Sequence, residues 1–241
     1  WLGTYYGLAR FDGQRFTVFD ANTPGFPSGT VHSIQPGSRG SLFLIVGAQL
    51  VHYSKGVFNT SDIRLDKPSH WINQHSITAD GKTILSEMNQ EPQQRQLISI
   101  RNQHRTVHAV RTNNSQPKNL IFNVATDQDE ITWWANRNEL GILTSDGVSV
   151  LHEFGDDERI SAGPTPAKLG GVWFVVSGQL MRYDDERLFS NEIPPSEGAQ
   201  QAIIRIIEAM DGSLWIRRPG NHYQQYARQD DNNYILEKQF K

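Results

Sequence analysis

The side chains able to recognise or transform a ligand gather in a few short polar stretches of this 241-residue chain: Tyr5 and Tyr6, His70, Trp71 and His75, Asn136 and Arg137, and Arg217, Arg218, Asn221 and His222. Aromatic rings stack on the apolar face of a sugar or another flat ligand, and arginine and asparagine donate to its hydroxyl groups. Binding sites use an apolar surface with a few placed polar groups in this way. Candidate ligand-binding residues are therefore Tyr5, Tyr6, Trp71, Asn136, Arg137, Arg218 and His222. Imidazole is also a common metal ligand. His32, His70 and His75, however, have no H-x-x-x-H pair on a helix and no carboxylate cluster beside them, so no metal site is expected.

Catalytic chemistry has less to work with. The chain has no cysteine, which excludes disulfides, thiolate catalysis and cysteine-ligated metals. Acid–base work needs paired groups with separated pKa values in a cleft. The acidic runs Asp156-Asp157-Glu158, Asp184-Asp185-Glu186 and Asp230-Asp231 instead follow predicted strands and read as solvated turns. No G-x-S-x-G elbow and no phosphate-binding glycine loop is present. No catalytic residue and no cofactor is expected, and the chain reads as a binding protein, not an enzyme.

Charge narrows the partners. With 23 basic and 26 acidic residues the net charge is −3, too balanced for a phosphate-binding surface, so nucleic acid is not expected. No apolar run reaches the 18 or more residues of a membrane helix, and no signal peptide is present. The chain opens at Trp1 inside a predicted strand, so a targeting segment upstream would not be seen.

The elements that must hold these side chains repeat. Trp1, Phe43, Ile84, Trp133, Trp173 and Trp215 occupy one anchor position, at spacings of 42, 41, 49, 40 and 42 residues. Seven residues after the anchor stand Leu8, Leu50, Leu140 and Leu180, and ten after it Phe11, Tyr53, Leu143 and Tyr183. The long spacing falls where Met88 to Gln96, a polar stretch, separates the third anchor strand from Leu97-Ile98-Ser99-Ile100. It reads as an insertion, and insertions into repeats commonly carry binding loops. In the sixth unit His222 stands at the seven-residue offset, with Tyr223 and Tyr226 alongside.

Within each unit the apolar alternation has period two, not 3.6, and Asp80-Gly81, Asp146-Gly147 and Asp211-Gly212 suit tight hairpins. Four short strands in about 40 residues form a propeller blade. Such a sheet is apolar on both faces and is stable only between neighbours, with the anchor aromatics filling the wedges. The expected fold is all-β, a β-propeller of four-stranded blades with about six present, belonging to a seven-bladed ring, the alternative being six blades closed with one incomplete. The units run approximately 1–29, 30–73, 74–119, 120–160, 161–201 and 202–241, the first without its innermost strand. Loops between the second and third strands should then share one face and present Tyr5, Tyr6, Asn136, Arg137, Arg218, Asn221 and His222. His70, Trp71, His75 and His32 lie on or before inner strands.

Trp1-Leu2-Gly3-Thr4 and Gly7-Leu8-Ala9-Arg10-Phe11-Asp12-Gly13 resemble the two-component regulator propeller repeat, whose hallmark is a D-G-x-L-W-I-G-T-x-x-G-L-x-R-F-D string followed by G-x-x-F. Asn22, Pro24 and Pro27-Ser28 are similar to its N-x-P-x-x-S connection. Asp211-Gly212-Ser213-Leu214-Trp215-Ile216 matches the front half, with Arg217-Arg218 in place of Gly-Thr. Adjacent strand residues point to opposite faces, so one of these arginines should be buried and the other available. The resemblance implies a periplasmic sensor ectodomain of an inner-membrane hybrid histidine kinase or diguanylate cyclase. Its expected partners are a small-molecule or oligosaccharide ligand, other domains of the same regulator, and a second copy in a homodimer. The alternative is a free-standing secreted propeller that binds carbohydrate or acts as a lyase through channel histidines. A third option is a scaffold for other proteins.

Overall fold

The computed structural model describes residues 1–64, 75–78, 82–88, 95–101, 104–108, 123–168, 170–191, 193, 202–230 and 233–240. These build six antiparallel sheets in chain order. The first has three strands, β1 (Leu2–Thr4), β2 (Gly7–Phe11) and β3 (Phe16–Phe19). The second holds β4 (Val31–Pro36), β5 (Leu42–Val46), β6 (Gln49–Ser54) and β7 (Val57–Arg64). The third holds β8 (His75–Ile77), β9 (Thr83–Met88), β10 (Arg95–Arg101) and β11 (His104–His108). The fourth comprises β12 (Asn123–Thr126), β13 (Thr132–Ala135), β14 (Glu139–Thr144) and β15 (Gly147–Glu153). The fifth comprises β16 (Ile160–Pro166), β17 (Val172–Val176), β18 (Gln179–Asp184) and β19 (Arg187–Asn191). The sixth comprises β20 (Arg205–Glu208), β21 (Leu214–Arg218), β22 (His222–Arg228) and β23 (Tyr234–Phe240).

Every sheet is an up-and-down meander, and this is the β-propeller architecture that the repeat predicts. Among the described residues β1 lies at an edge of the first sheet, whereas its counterparts, the second strands of the other five sheets, are flanked on both sides. Trp71 and residues 89–94 of the predicted insertion lie outside the described residues, as does Asp80-Gly81. The other two Asp-Gly turns stand where expected, Asp146-Gly147 closing β14 to β15 and Asp211-Gly212 between β20 and β21. No helix among the described residues is long and apolar enough to cross a membrane.

The first three blades form one compact unit and the last three another. In each, the core lies in the layers between neighbouring blades. In the first unit Leu8 packs with Val31, Leu42, Leu44, Val46, Val51, Tyr53 and Phe58, joining blades one and two. Ile45 packs with Ile98 and Ile100 between blades two and three. In the second unit Trp133, Ala135 and Leu140 pack against Val172, Phe174, Val176 and Tyr183 of the fifth blade. Trp173, Val175 and Leu180 pack against Ile206, Leu214, Ile216, Tyr226 and Tyr234 of the sixth.

The strand alternation explains the two-sided burial. Odd positions of β17, Trp173 and Val175, face forward to the sixth blade, and Val172, Phe174 and Val176 face back to the fourth. All five are buried, as expected of a strand between two apolar layers. Turn geometry matters at Gly171, in the turn from β16 to β17. Its φ is +70°, and a Cβ there would come within 1.9 Å of the Tyr183 carbonyl oxygen of β18, so only glycine fits.

The anchors divide into two kinds. Trp133 keeps its indole local, donating from Nε1 to Asp127 Oδ2 at 2.6 Å. Asp127 is the first residue of a turn in which Glu130 N–H donates to Asp127 O and Asp127 N–H to Ile131 O. The fifth blade repeats that turn with Ala167, Gly170 and Gly171. Alanine offers no carboxylate, and Trp173 reaches instead to Glu208 of the sixth blade, at 2.8 Å. The same carboxylate oxygen accepts the Lys168 backbone N–H at 2.9 Å.

Candidate ligand-binding surface

The second-to-third-strand loops hold most of the predicted site residues. In the first blade Thr4 Oγ1 donates to the Gly7 carbonyl at 2.8 Å and accepts from Tyr6 N–H at 3.2 Å, closing the β1–β2 turn. The Tyr5 and Tyr6 rings stand out from it, 79% and 88% exposed. Two adjacent phenol rings free of core contacts are an aromatic platform of the kind that stacks on flat ligands.

In the fourth blade the loop works differently. Asn136 is 2% exposed, and its amide is spent on its own turn. Oδ1 accepts from Asn138 N–H at 2.9 Å and Glu139 N–H at 2.7 Å, while Nδ2 donates to Glu139 Oε2. Asn136 thus shapes the loop, and Arg137 is the residue that the loop presents to solvent. The Arg137 carbonyl accepts Ile160 N–H at 2.6 Å, which fixes the loop against the start of the fifth blade. Burial raises the Glu139 pKa; the Asn136 hydrogen bond opposes that rise, and the charge of Glu153, directly across the β14–β15 pair, adds to it.

The sixth blade carries the densest polar group. Its β21–β22 hairpin pairs Arg218 with His222 around Pro219–Asn221, a three-residue loop. The fifth blade pairs Val176 with Gln179 around only Ser177 and Gly178. The extra residue shifts every later position by one. Tyr223, opposite Arg217, is therefore the counterpart of Leu180, opposite Val175; His222 does not take that place, although the seven-residue offset had put it there. Likewise Tyr226, opposite Leu214, takes the core position of Tyr183, opposite Val172.

Alternation along β21 turns Leu214, Ile216 and Arg218 back toward the fifth blade, with Tyr226, Gln224 and His222 as their cross-strand partners. Arg218 is 2% exposed, and its Nε donates to Gln224 Oε1 at 2.6 Å. The Tyr226 hydroxyl donates to the same oxygen at 3.1 Å, and burial raises its pKa. Among the described residues two groups in this row have no hydrogen-bond partner: Gln224 Nε2, a donor, and His222 Nδ1. Buried polar atoms left without partners are uncommon and costly, about 1–3 kcal/mol each. A donor and a ring nitrogen side by side in one row, with the half-buried His222 at its open end, are suited to a hydroxyl-bearing guest or a water. The prediction for Arg217-Arg218 is also visible: Arg218 is buried in the blade layer and Arg217 is half-buried on the opposite face.

Arg218 and His222 are thus direct neighbours, and Arg137 lies two blades away in the same unit. Gln224, and the role of Tyr226 beside it, were not among the site residues expected from the sequence. Their signal was the alternation from His222, hidden by the extra loop residue. His32 is exposed on the inner strand β4, and His75 begins β8. Among the described residues no group of three or more His, Cys, Asp or Glu side chains could hold a metal ion. Of the acidic runs, Glu158 closes its turn on Gly155 N–H at 3.1 Å and Asp230 accepts from Asn233. Asp184 instead pairs with Arg182, a buried guanidinium lying 5.9 Å from the Trp173 ring centre, so it belongs to the core layer more than to a solvated turn.

No protein-family model matches the chain, and no curated protein matches it. Solved structures do. The extracellular domain of the hybrid two-component system BT4673 from B. thetaiotaomicron superposes with a TM-score of 0.57 at 13% identity, over 96% of this chain and 39% of that one. YCF48 bound to D1 peptide gives 0.54 at 11% identity, over 86% of this chain and 66% of that one. Citrobacter koseri AztD gives 0.51 at 10% identity, covering 97% and 78%. The chain spans about two fifths of the length of the B. thetaiotaomicron domain. At these identities the likeness is one of fold. The Trp1 to Gly13 resemblance and the structural comparison meet at the same place: an extracellular domain of a two-component regulator has this propeller fold.

Proposed function

We propose that this chain is the ligand-sensing propeller of a transmembrane signalling regulator, held outside the cytoplasm. The observation that carries the reading of a binding site is the sixth-blade row of Arg218, Gln224 and Tyr226, which ends at His222 with a donor and a ring nitrogen unspent. The reading as a sensor is supported by the fold shared with the BT4673 extracellular domain and by the first-blade motif.

The ligand is a small molecule or oligosaccharide rich in hydroxyl groups. His222 and Gln224 exchange hydrogen bonds with it, and Arg137 supplies a cation from the fourth blade; in the first unit, and by themselves, the exposed Tyr5 and Tyr6 rings offer a separate stacking platform. No catalytic step is involved. Binding acts by favouring one of two arrangements of the regulator, as a dimer or against its other domains in the periplasm, and it can do so only if the ligand has unequal affinity for them.

The test is a panel of oligosaccharides and small metabolites read by thermal shift, followed by calorimetry on each hit. A ligand that binds only the folded state raises its stability, by about 2.7 kcal/mol at a hundredfold excess over Kd. The expected result is at least one hit, weakened tenfold or more by His222→Ala with the unliganded melting temperature kept. A panel without any shift, or hits indifferent to His222 and Arg137, would sink the reading.

A further inference from the structure

Leu180 of the fifth blade packs with Ile216 and Tyr226 of the sixth in the layer between the two sheets. Residues directly opposite each other on neighbouring strands share a face. Asn191 is opposite Leu180 and Gln224 is opposite Ile216, so the two amides stand on the facing sides of that one layer. Both are shut away, Asn191 at 3% and Gln224 at 0% exposure. Among the described residues Asn191 Nδ2 and Oδ1 have no hydrogen-bond partner, nor do Gln224 Nε2 and His222 Nδ1. The unspent groups of the sixth blade thus have a counterpart across the layer, on the fifth.

Neighbouring layers fill these places differently. The position of Asn191 is taken by Phe19 in the first blade, opposite Leu8, and by His152 in the fourth, opposite Leu140. The His152 ring meets Phe154 edge-on, 4.4 Å away. The position of Gln224 is taken by Val51 in the second blade, opposite Leu44, and by Met181 in the fifth, opposite Phe174. Apolar and aromatic side chains close the layer there. Two amides close it here, although buried polar groups are as a rule hydrogen-bonded.

We propose, resting on the reading of Arg218, Gln224 and His222 as a binding site, that this layer is a closed sugar subsite. It parts at its His222 end to take two adjacent hydroxyl groups of a sugar ring. Gln224 Oε1 already accepts from Arg218 and Tyr226, which fixes the orientation of its amide and leaves Nε2 able only to donate. Asn191 offers an acceptor and an amino group, and His222 Nδ1 is a second acceptor when the ring proton is on Nε2. Two hydroxyls bring two donors for these two acceptors, and lone pairs for both amino groups. Adjacent ring hydroxyls also reach the two ends of one amide together. A carboxylate donates nothing and leaves both acceptors bare. The four atoms are sealed in the closed layer, with half-buried His222 at its edge, so a guest pairs them only in the parted one. That supplies the unequal affinity for two arrangements on which sensing depends.

The test titrates the 241-residue chain with methyl glycosides of glucose, galactose and mannose. Heteronuclear NMR follows the side-chain amide signals of Asn191 and Gln224, and calorimetry gives the affinity. The 3-deoxy form of each glycoside, which has no adjacent ring hydroxyls, and acetate are the controls. At least one glycoside should move both amide signals saturably, with the controls bound about tenfold more weakly or not at all. Asn191→Leu removes an unpaired amide, so it should raise the melting temperature of the free chain and weaken the glycoside by about tenfold or more. A glycoside bound equally well by Asn191→Leu, or equally well in its 3-deoxy form, overturns the subsite and leaves the sensing reading in place. Preference for acetate, or binding that leaves the two amide signals unmoved, does the same. Absence of binding by every glycoside also overturns the subsite, and the sensing reading falls with it only if the wider thermal-shift panel is blank as well.

Discussion

Trp173 and Glu208 form the hydrogen bond that ties the fifth blade to the sixth, indole N–H to carboxylate at 2.8 Å, both groups buried. Glu208→Ala leaves that N–H and the Lys168 amide without their acceptor. The cost should be about 2–4 kcal/mol, the range for two buried donors losing a partner. Urea denaturation of the two proteins measures it, and a loss under about 0.5 kcal/mol, the level of an ordinary surface substitution, would show that water replaces the carboxylate.

Ala167 stands where the fourth blade has Asp127, the acceptor that keeps Trp133 local. Ala167→Asp in the Glu208→Ala background should hand Trp173 an acceptor from its own turn. We expect it to recover about half of the lost stability, roughly 1 kcal/mol, with a coupling energy of opposite sign to simple additivity. A double mutant no more stable than Glu208→Ala would show that the two turns are not interchangeable.

Glu139 gives the pH prediction. Its carboxyl is held above the ordinary value of 4.5 chiefly by burial, so the folded chain binds this proton more tightly than the unfolded chain does. The resulting stabilisation is complete below pH 4.5 and is lost as pH rises through the folded-state pKa. Glu139→Gln keeps an acceptor for Asn136 and removes the buried charge. It should raise the melting temperature at pH 7 and give no gain at pH 4. An equal effect at both pH values would contradict this account.

Gly171→Ala tests the tightest turn. The left-handed φ of +70° and a Cβ 1.9 Å from the Tyr183 carbonyl oxygen make the substitution strained twice over. Destabilisation of about 2 kcal/mol or more is expected from equilibrium unfolding. By contrast Gly13, with φ +103° but nothing within 4 Å, should tolerate alanine at a lower cost.

The repeat was legible in the sequence because each copy states its anchor position and four of the six also state the ten-residue offset. Trp133, Trp173, Tyr53 and Tyr183 are all buried at the places that spacing assigns. The sixth blade was misaligned for a physical reason: Pro219, Gly220 and Asn221 make a loop one residue longer, and in a strand a shift of one residue reverses which face each side chain takes. That concealed Gln224 and Tyr226 and put His222 in the position of Tyr223. Polar residue type alone also failed to separate Asn136 from Arg137. Asparagine bonds readily to its own backbone, and only the coordinates show that its amide is spent on the turn while the arginine is exposed. The union of Trp173 with Glu208 had no local sequence signal, since the partners lie 35 residues apart and the clue was an alanine where an aspartate would serve.

The three-stranded first sheet has a kinetic consequence. Leu2, Gly3 and Thr4 of β1 are all exposed, and among the described residues one edge of that strand has no neighbouring strand. In a stack of repeats, stability is close to a sum of each repeat's own term and its nearest-neighbour terms. A sheet with one strand fewer opens more often than its neighbour, whose β5 is enclosed between β4 and β6. Amide hydrogen exchange should therefore run fastest through β1 and β2 and slowest through β5, a gradient that spreads inward from the first blade.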